Sequence, residues 1–209
     1  MSVEFHELEV MAVISETADC KSFELSAPAA LADAYRYAAG QHLMFKLPWD
    51  DFEVSRCYSI ASCPDLGEPL KIGVKRVEGG RVSNWMNDTL KVGDKLLASV
   101  PEGRFVLDPE TRVSTPLFLF AGGSGITPII SLLKSALTMT KRSITMLYAN
   151  RDFDSVVYRE ELDRLQAEHA DRFDLHHHLD SDGGYLDVGR IRSLLHHEDV
   201  AEFYICGPE

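Results

Sequence analysis

The run AGGSGITP, Ala121 to Pro128, places Gly122, Gly123 and Gly125 directly after an apolar stretch and ahead of residues at helical spacing. Glycines there let the backbone bend tightly and let a diphosphate approach amide N–H groups at a helix N-terminus. Thr127 suits the cap of that helix and Pro128 its first position. Pro128 stands where the third glycine of G-x-G-x-x-G would fall, so the alternative is a glycine-rich strand-to-helix turn with no ligand. Two sharper rivals fail. A nucleophile elbow centred on Ser124 needs glycine where Ile126 sits, and a P-loop needs a Gly-Lys-Ser/Thr ending that is missing.

Two further stretches carry chemistry. In RCYSIAS, Arg56 to Ser62, an extended strand puts Arg56 and Tyr58 on one face and Cys57 and Ser59 on the other. A guanidinium, an aromatic plate and a small hydroxyl so close together suit a ligand with both phosphate and a flat ring, although the same residues on an exposed strand face would be unremarkable. In GVKRVEGGRVSNWMND, a basic strand with Gly73, Val74 and Lys75 leads into a Gly-Gly turn and a helix start at Gly80 to Ser83, where the amides of Gly80, Val82 and Ser83 offer an anion site. Between Arg56 and Arg104 stand eight Lys/Arg and six Asp/Glu, a local charge of +2 in a chain of −12. A basic pocket in an acidic protein points to a bound polyanion; solvated surface charge is the plain alternative.

The elements that must position these residues fall into two halves. Short apolar runs alternate with turn residues at Phe5 to Ser15, Lys21 to Ser26, Gln41 to Leu47, Arg56 to Ile60, Leu70 to Val77 and Lys95 to Val100, which predicts a small antiparallel barrel or sandwich. Helical pieces are expected at Ala29 to Ala34 and Ser83 to Thr89, and the polar, proline-bearing stretch Leu107 to Pro116 reads as a connector. The rhythm then changes to strand and helix in turn. Strands are expected at Leu117 to Ala121, Ser143 to Tyr148, Phe173 to Leu179 and Glu202 to Ile205. Helices are expected at Pro128 to Thr138, at Ser155 to His169 with Glu161, Asp163, Arg164 and Glu168 toward solvent, and at Asp187 to Leu195. Such alternation calls for a parallel sheet covered by helices. The expected division is 1–108 for the barrel and 109–209 for the α/β unit, the latter C-terminally incomplete because the sequence stops directly after a strand.

Composition narrows the partners. The 209 residues include 21 Lys+Arg against 33 Asp+Glu, a balance that repels nucleic-acid phosphates and anionic lipid. No apolar run approaches the roughly 18 residues of a membrane-spanning helix. Four cysteines form no C-x-x-C pair and the N-terminus has no signal-peptide pattern, so the reducing cytoplasm is the expected compartment. The C-x4-C-x2-C run of a plant-type 2Fe-2S cluster is absent. The histidine runs 176–178 and 196–197 read as exposed or half-buried histidines rather than a metal site, since the first lies in an expected strand whose neighbours point to opposite faces.

Taken together, R-x-Y-S, V-K-R with G-G-x-x-S, G-G-x-G-I-T-P and a final C-G-P resemble the ferredoxin-NADP reductase superfamily along essentially the whole chain. YRYAAGQHLMFKLP before RCYSIASCP, and LYANRD before the YREEL helix, look most like the reductase components of bacterial oxygenases, of the 3-ketosteroid hydroxylase and phenylacetyl-CoA epoxidase type. The resemblance implies an N-terminal Greek-key β-barrel for FAD and a C-terminal Rossmann-like sheet for NAD(P)H. It implies that Arg56 binds the FAD diphosphate, Tyr58 stacks on the flavin or its ribityl chain, and Ser59 hydrogen-bonds near flavin N5. Cys57 and Gly73 to Lys75 belong to the same site, and Gly80 to Ser83 would cradle the diphosphate from the other side. Gly122, Gly123, Gly125, Thr127, Asn150, Arg151 and Asp180 would hold the dinucleotide. Cys206 and Gly207 would sit beside the nicotinamide, making Ser59 and Cys206 the residues expected at the reacting centre.

The implied activity is hydride transfer from NAD(P)H to FAD, then single-electron transfer to an iron–sulfur acceptor, either a fused 2Fe-2S domain or a separate ferredoxin or oxygenase. A free-standing ferredoxin or flavin reductase, and a flavin-binding redox sensor that oxidises no dinucleotide, are the alternatives. Asp180, Ser181 and Asp182, with no arginine among them, accept from a ribose 2′-hydroxyl and repel a 2′-phosphate, which favours NADH. Arg151 is the opposing charge, unless it pairs with Asp152 or Asp154.

Overall fold

A computed structural model of the protein describes residues 4–49, 52–107, 115–195 and 200–208. The expected boundary between 108 and 109, most of the connector and the histidine pair at 196–197 lie outside the described residues.

The first half forms one antiparallel sheet. Its strands are β1 (Phe5–Thr17), β2 (Cys20–Ser26), β3 (His42–Trp49), β4 (Phe52–Ser59), β5 (Leu70–Lys75) and β6 (Lys95–Ser99), in the order β4-β3-β6-β1-β2-β5. A bridge between Ile60 and Ile72 brings the two edge strands together and curls the sheet into a barrel. Alternation decides what lies inside: Leu8, Val10, Phe23, Leu43, Phe45, Ile72 and Val74 are each fully buried, and the residues between them, such as Glu9, point to the other face. Helix α1 (Arg81–Thr89) contributes Val82 and Met86 to this core.

The second half is a parallel sheet in the order β10-β7-β8-β9, built from β7 (Leu117–Gly122), β8 (Ile144–Asn150), β9 (Phe173–Leu179) and β10 (Glu202–Cys206). Helix α2 (Ile126–Met139) connects β7 to β8, and α3 (Arg159–Glu168) connects β8 to β9. Two short helices, α4 (Asp180–Gly183) and α5 (Val188–Leu194), lie between β9 and β10. β7 is central and buried on both faces, which is why its sequence is a continuous apolar run rather than an alternation.

Several elements depart from the sequence reading. The piece at Ala29 is one 3₁₀ turn, Ala29–Leu31, rather than a helix to Ala34. The expected helix from Ser155 is split into a 3₁₀ turn at Phe153–Ser155 and α3, because Tyr158 between them adopts φ 59°, a left-handed conformation that no helix can run through. Asp152 closes that turn by accepting from the Ser155 amide. Glu161 does not face solvent with Asp163, Arg164 and Glu168; it turns inward toward α2. Helix α2 begins two residues earlier than expected, so Thr127 is not its cap and Pro128 is its third residue. Proline is tolerated there because first-turn amides have no intrahelical acceptor.

Among the described residues no helix is long and apolar enough to cross a membrane, and no group of His, Cys, Asp and Glu could hold a metal ion.

Candidate active site between the barrel and the parallel sheet

β4 and β5 of the barrel face the β7–α2 loop of the parallel sheet across a cleft of about 720 Å³. Arg56, Cys57, Tyr58 and Ser59 at the end of β4 all line it. Arg56 pairs with Phe45 and Tyr58 with Leu43, so these two share one face of the strand, while Cys57 and Ser59 share the other with Met44 and His42. The Arg56 guanidinium is exposed and, among the described residues, bonds only to the neighbouring Ser55 carbonyl, at 2.8 Å, which leaves most of its donors available. Tyr58 packs its ring against Phe45, and burial pushes its phenol up to about 12, so it remains a neutral aromatic plate.

Facing them is the start of α1. Gly80 precedes the helix as its N-cap, but its amide donates to Val77 O at 2.8 Å, so Gly80 is not the anion donor the sequence suggested. The amides left for a ligand at this end are those of the first turn, Arg81, Val82 and Ser83, which lack acceptors one turn below. Gly80 is needed for space, since a Cβ there would come within 2.8 Å of Ser83 Oγ. Val74 is a further correction: its side chain is fully buried in the barrel core and is not part of this cleft's lining, because alternation in β5 turns it inward between Gly73 and Lys75.

On the opposite wall, Gly122, Gly123, Gly125 and Thr127 line the cleft together with Cys206 and Gly207. Strand pairing explains the meeting, because Cys206 at the end of β10 is in register with Ala121 of β7. A side chain at Gly125 would collide with the Cys206 carbonyl, so glycine alone lets the loop close onto the strand end. Burial raises the Cys206 thiol above its ordinary value, which makes it a neutral group at the junction rather than a nucleophile.

A second cleft of about 1180 Å³ continues from Gly122, Gly123, Cys206 and Gly207 along the ends of the parallel strands. Asn150, Arg151 and Asp180 line it and do not reach the first. Asn150 is only 5% exposed, and neither polar atom of its amide has a hydrogen-bond partner among the described residues. A buried, unsatisfied amide in a cleft wall is what a polar ligand would complete. Arg151 pairs with neither Asp152 nor Asp154. Its guanidinium donates to Asp19 at 3.0 Å, across to the β1–β2 turn of the barrel. Asp19 also stands 3.8 Å from Lys75 Nζ. Sequence inspection missed Asp19, since nothing local to that turn marks it as part of a site.

An exposed guanidinium, a helix N-terminus and a neutral aromatic ring fit the diphosphate and ring of a flavin dinucleotide. The adjoining glycine loop at the carboxyl ends of parallel strands, with an unsatisfied amide beyond it, fits a second dinucleotide. The architecture is thus that of a two-domain flavin and dinucleotide oxidoreductase. Family models agree in extent: residues 6–107 match the oxidoreductase FAD-binding domain and residues 119–209 the oxidoreductase NAD-binding domain. The chain belongs to these FAD- and NAD-binding oxidoreductases, with a ferredoxin-NADP reductase-like fold.

Among curated relatives, the chain is 38% identical over 202 residues to the ferredoxin reductase component of 3-ketosteroid-9-alpha-monooxygenase from Rhodococcus rhodochrous, covering 96% of this chain and 57% of that protein. It is 34% identical over 216 residues to a component of the 1,2-phenylacetyl-CoA epoxidase of Escherichia coli, covering 98% of this chain and 60% of that one. The chain therefore spans less than two thirds of the length of these relatives. The solved ferredoxin-NADP+ reductase of Plasmodium falciparum superposes with a TM-score of 0.79 at 21% identity, covering 97% of this chain and 87% of that one, which is a likeness of fold.

Proposed function

We propose that the protein oxidises NADH with FAD and hands the electrons singly to an iron–sulfur acceptor, as the reductase part of an oxygenase system. The observation that carries this reading is the shared wall: Gly122, Gly123, Cys206 and Gly207 border both clefts, so a ligand in the long cleft can present one end to a ligand held by β4. When bound, FAD supplies the conversion between a two-electron donor and one-electron acceptors.

The protein's own residues bind, orient and exclude. Arg56 and the amides of Arg81 to Ser83 neutralise the flavin diphosphate from two sides. Tyr58 supports the flavin, and Ser59 places a hydroxyl at the reacting nitrogen. Gly73 and Lys75 form the floor of the same site, with Cys57 at its edge. Gly123, Gly125 and Thr127 hold the dinucleotide, Asn150 completes its hydrogen bonding with it, and Cys206 with Gly207 positions the nicotinamide. Asp180 receives the ribose 2′-hydroxyl, while Asp19 occupies Arg151, and both carboxylates favour NADH over a 2′-phosphorylated dinucleotide. The two functional units are residues 1–108 and 109–209. The name of one relative, a ferredoxin reductase component, supports an iron–sulfur acceptor, fused or separate. Cysteines present as free thiols support the cytoplasm as its compartment.

The test is anaerobic addition of NADH to the purified, FAD-loaded protein. The yellow flavin absorbance bleaches with one equivalent of NADH and returns on adding an oxidised 2Fe-2S ferredoxin. A flavin that stays oxidised under NADH and NADPH would reduce the protein to a flavin-binding module.

A further inference from the structure

We propose that α2 sets the spacing between the two cofactor motifs and that Lys134 is a positioning residue for hydride transfer, acting through the segment that follows Ser59. The inference rests on the flavin and dinucleotide reading above.

α2 begins directly after Gly125 of the dinucleotide loop, and most of its side chains are buried. Apolar residues dominate it: Ile129, Ile130, Leu132, Leu133 and Ala136 are fully buried. Through them runs a polar stripe, Ser131, Lys134 and Ser135, at the i, i+3 and i+4 spacing of one helix face. All three side chains bond to residues 62–68 of the barrel, which lie between β4 and β5. Ser131 Oγ donates to Ser62 O at 2.6 Å, and Ser135 Oγ donates to Asp65 Oδ2 at 2.6 Å. Lys134 Nζ donates to Glu68 Oε2 at 2.7 Å and to Glu161 Oε1 of α3 at 2.9 Å.

The receiving segment is itself held tightly. Ser62 Oγ shares a 2.7 Å hydrogen bond with Tyr37 and accepts from the Lys71 amide at 3.0 Å. Glu68 Oε2 also accepts from the Cys63 amide, at 2.8 Å. Ser59 lies directly upstream on the same stretch of chain. A continuous path of directional bonds therefore joins the loop that would hold the dinucleotide to the strand that would hold the flavin.

The Lys134 side chain is 0% exposed. An ammonium with no water is tolerated only while its carboxylate partners are in place, and here one partner belongs to the barrel and one to the parallel-sheet unit. Apolar burial between the halves is non-directional and permits sliding, whereas three hydrogen-bonded side chains fix one register. Hydride transfer demands that register, because a misplacement of about 1 Å costs on the order of a hundredfold in rate.

The experiment compares wild type with Lys134→Met, which keeps the aliphatic stem, and with the double variant Ser131→Ala/Ser135→Ala, which leaves the charges. Three readouts are taken: the limiting rate of anaerobic flavin reduction against NADH concentration, the long-wavelength absorbance of nicotinamide stacked on flavin, and amide hydrogen exchange across residues 61–71 in cofactor-free protein. Lys134→Met is expected to lower the limiting rate by about tenfold or more, with the half-saturating NADH concentration within about threefold of wild type. The stacking absorbance weakens, and the amides of Ala61, Cys63 and Lys71 exchange faster. The serine variant moves the same readouts in the same direction by a smaller factor. Wild-type limiting rate and stacking absorbance in Lys134→Met, even with a lowered melting temperature, would overturn the proposal. If Lys134→Met does not fold, the serine variant decides on the same criteria. Failure of NADH to reduce the wild-type protein would sink the functional reading instead, and exchange in the cofactor-free protein would still report whether α2 holds this segment.

Discussion

The hydroxyl of Tyr158 lies where a side chain on Gly73 would begin, and it shares a 3.0 Å hydrogen bond with Ser22, the cross-strand partner of Gly73. A tyrosine from the parallel-sheet unit is thereby seated on a glycine and a serine of the barrel, and its left-handed backbone is what aims it there. Ser22 is fully buried, so the bond satisfies a hydroxyl with no access to water.

Gly73→Ala introduces a methyl against the Tyr158 hydroxyl and 2.8 Å from Thr127 Cγ2. Overpacking of this kind costs about 1 to 3 kcal/mol, read as a lower urea midpoint. Tyr158→Phe alone also destabilises, by roughly 1 kcal/mol, through loss of the Ser22 bond. Combined, the two substitutions are expected to cost less than their sum, because removing the hydroxyl removes part of the clash. Strict additivity would mean that the two halves part at this contact.

Arg56→Ala removes a charge-assisted contact to the flavin diphosphate. FAD affinity is expected to fall by about one to two decades, corresponding to roughly 1.5 to 3 kcal/mol, with folding intact. Titration of cofactor-free protein by flavin fluorescence measures it, and an unchanged dissociation constant would remove β4 from the site.

Ser59→Ala is expected to retain FAD and to slow its reduction at saturating NADH, since the hydroxyl acts at the reacting nitrogen and not on the diphosphate. A loss of about tenfold is in keeping with one hydrogen bond made mainly in the transition state. Equal stopped-flow rates would leave Ser59 as a strand residue only.

Asp19→Asn frees Arg151 from its ion pair. Arg151 is 70% exposed, so the pair is weak, and the ratio of kcat/KM for NADPH to that for NADH is expected to rise only about two- to fivefold, or roughly 0.4 to 1 kcal/mol. Adding Arg151→Ala should cancel the rise. A wild-type preference for NADPH would reverse the assignment of Asp19 and Asp180.

Burial holds the His177 imidazole below the usual histidine range, and neither ring nitrogen has a hydrogen-bond partner among the described residues. The unfolded chain therefore takes up this proton more readily than the folded one. Its contribution to stability is complete above the unfolded value of about 6.5 and is lost as pH falls toward the depressed folded value. The melting temperature should fall as pH drops below about 6.5, and His177→Leu should flatten that part of the curve. A parallel decline in the variant would assign the effect to other groups.

What is legible in the amino-acid sequence is what is local. Alternating and helical periodicities mark the strands and α2, and glycines at 122, 123 and 125 mark a turn that a diphosphate can approach, because neighbours in sequence set backbone geometry. R-x-Y-S is legible for the same reason, since a strand fixes which of its residues share a face. Tertiary structure decided what crosses between the halves. Glu161 reads as a solvent-facing helix residue until Lys134 and Glu68 are brought to it, and Asp19 reads as an ordinary turn residue until Arg151 arrives from the other half. Gly80 likewise offers an amide on paper that the turn has already taken for Val77. An ion pair or a close approach between distant segments depends on the path of the whole chain, and periodicity within one segment carries no record of that path.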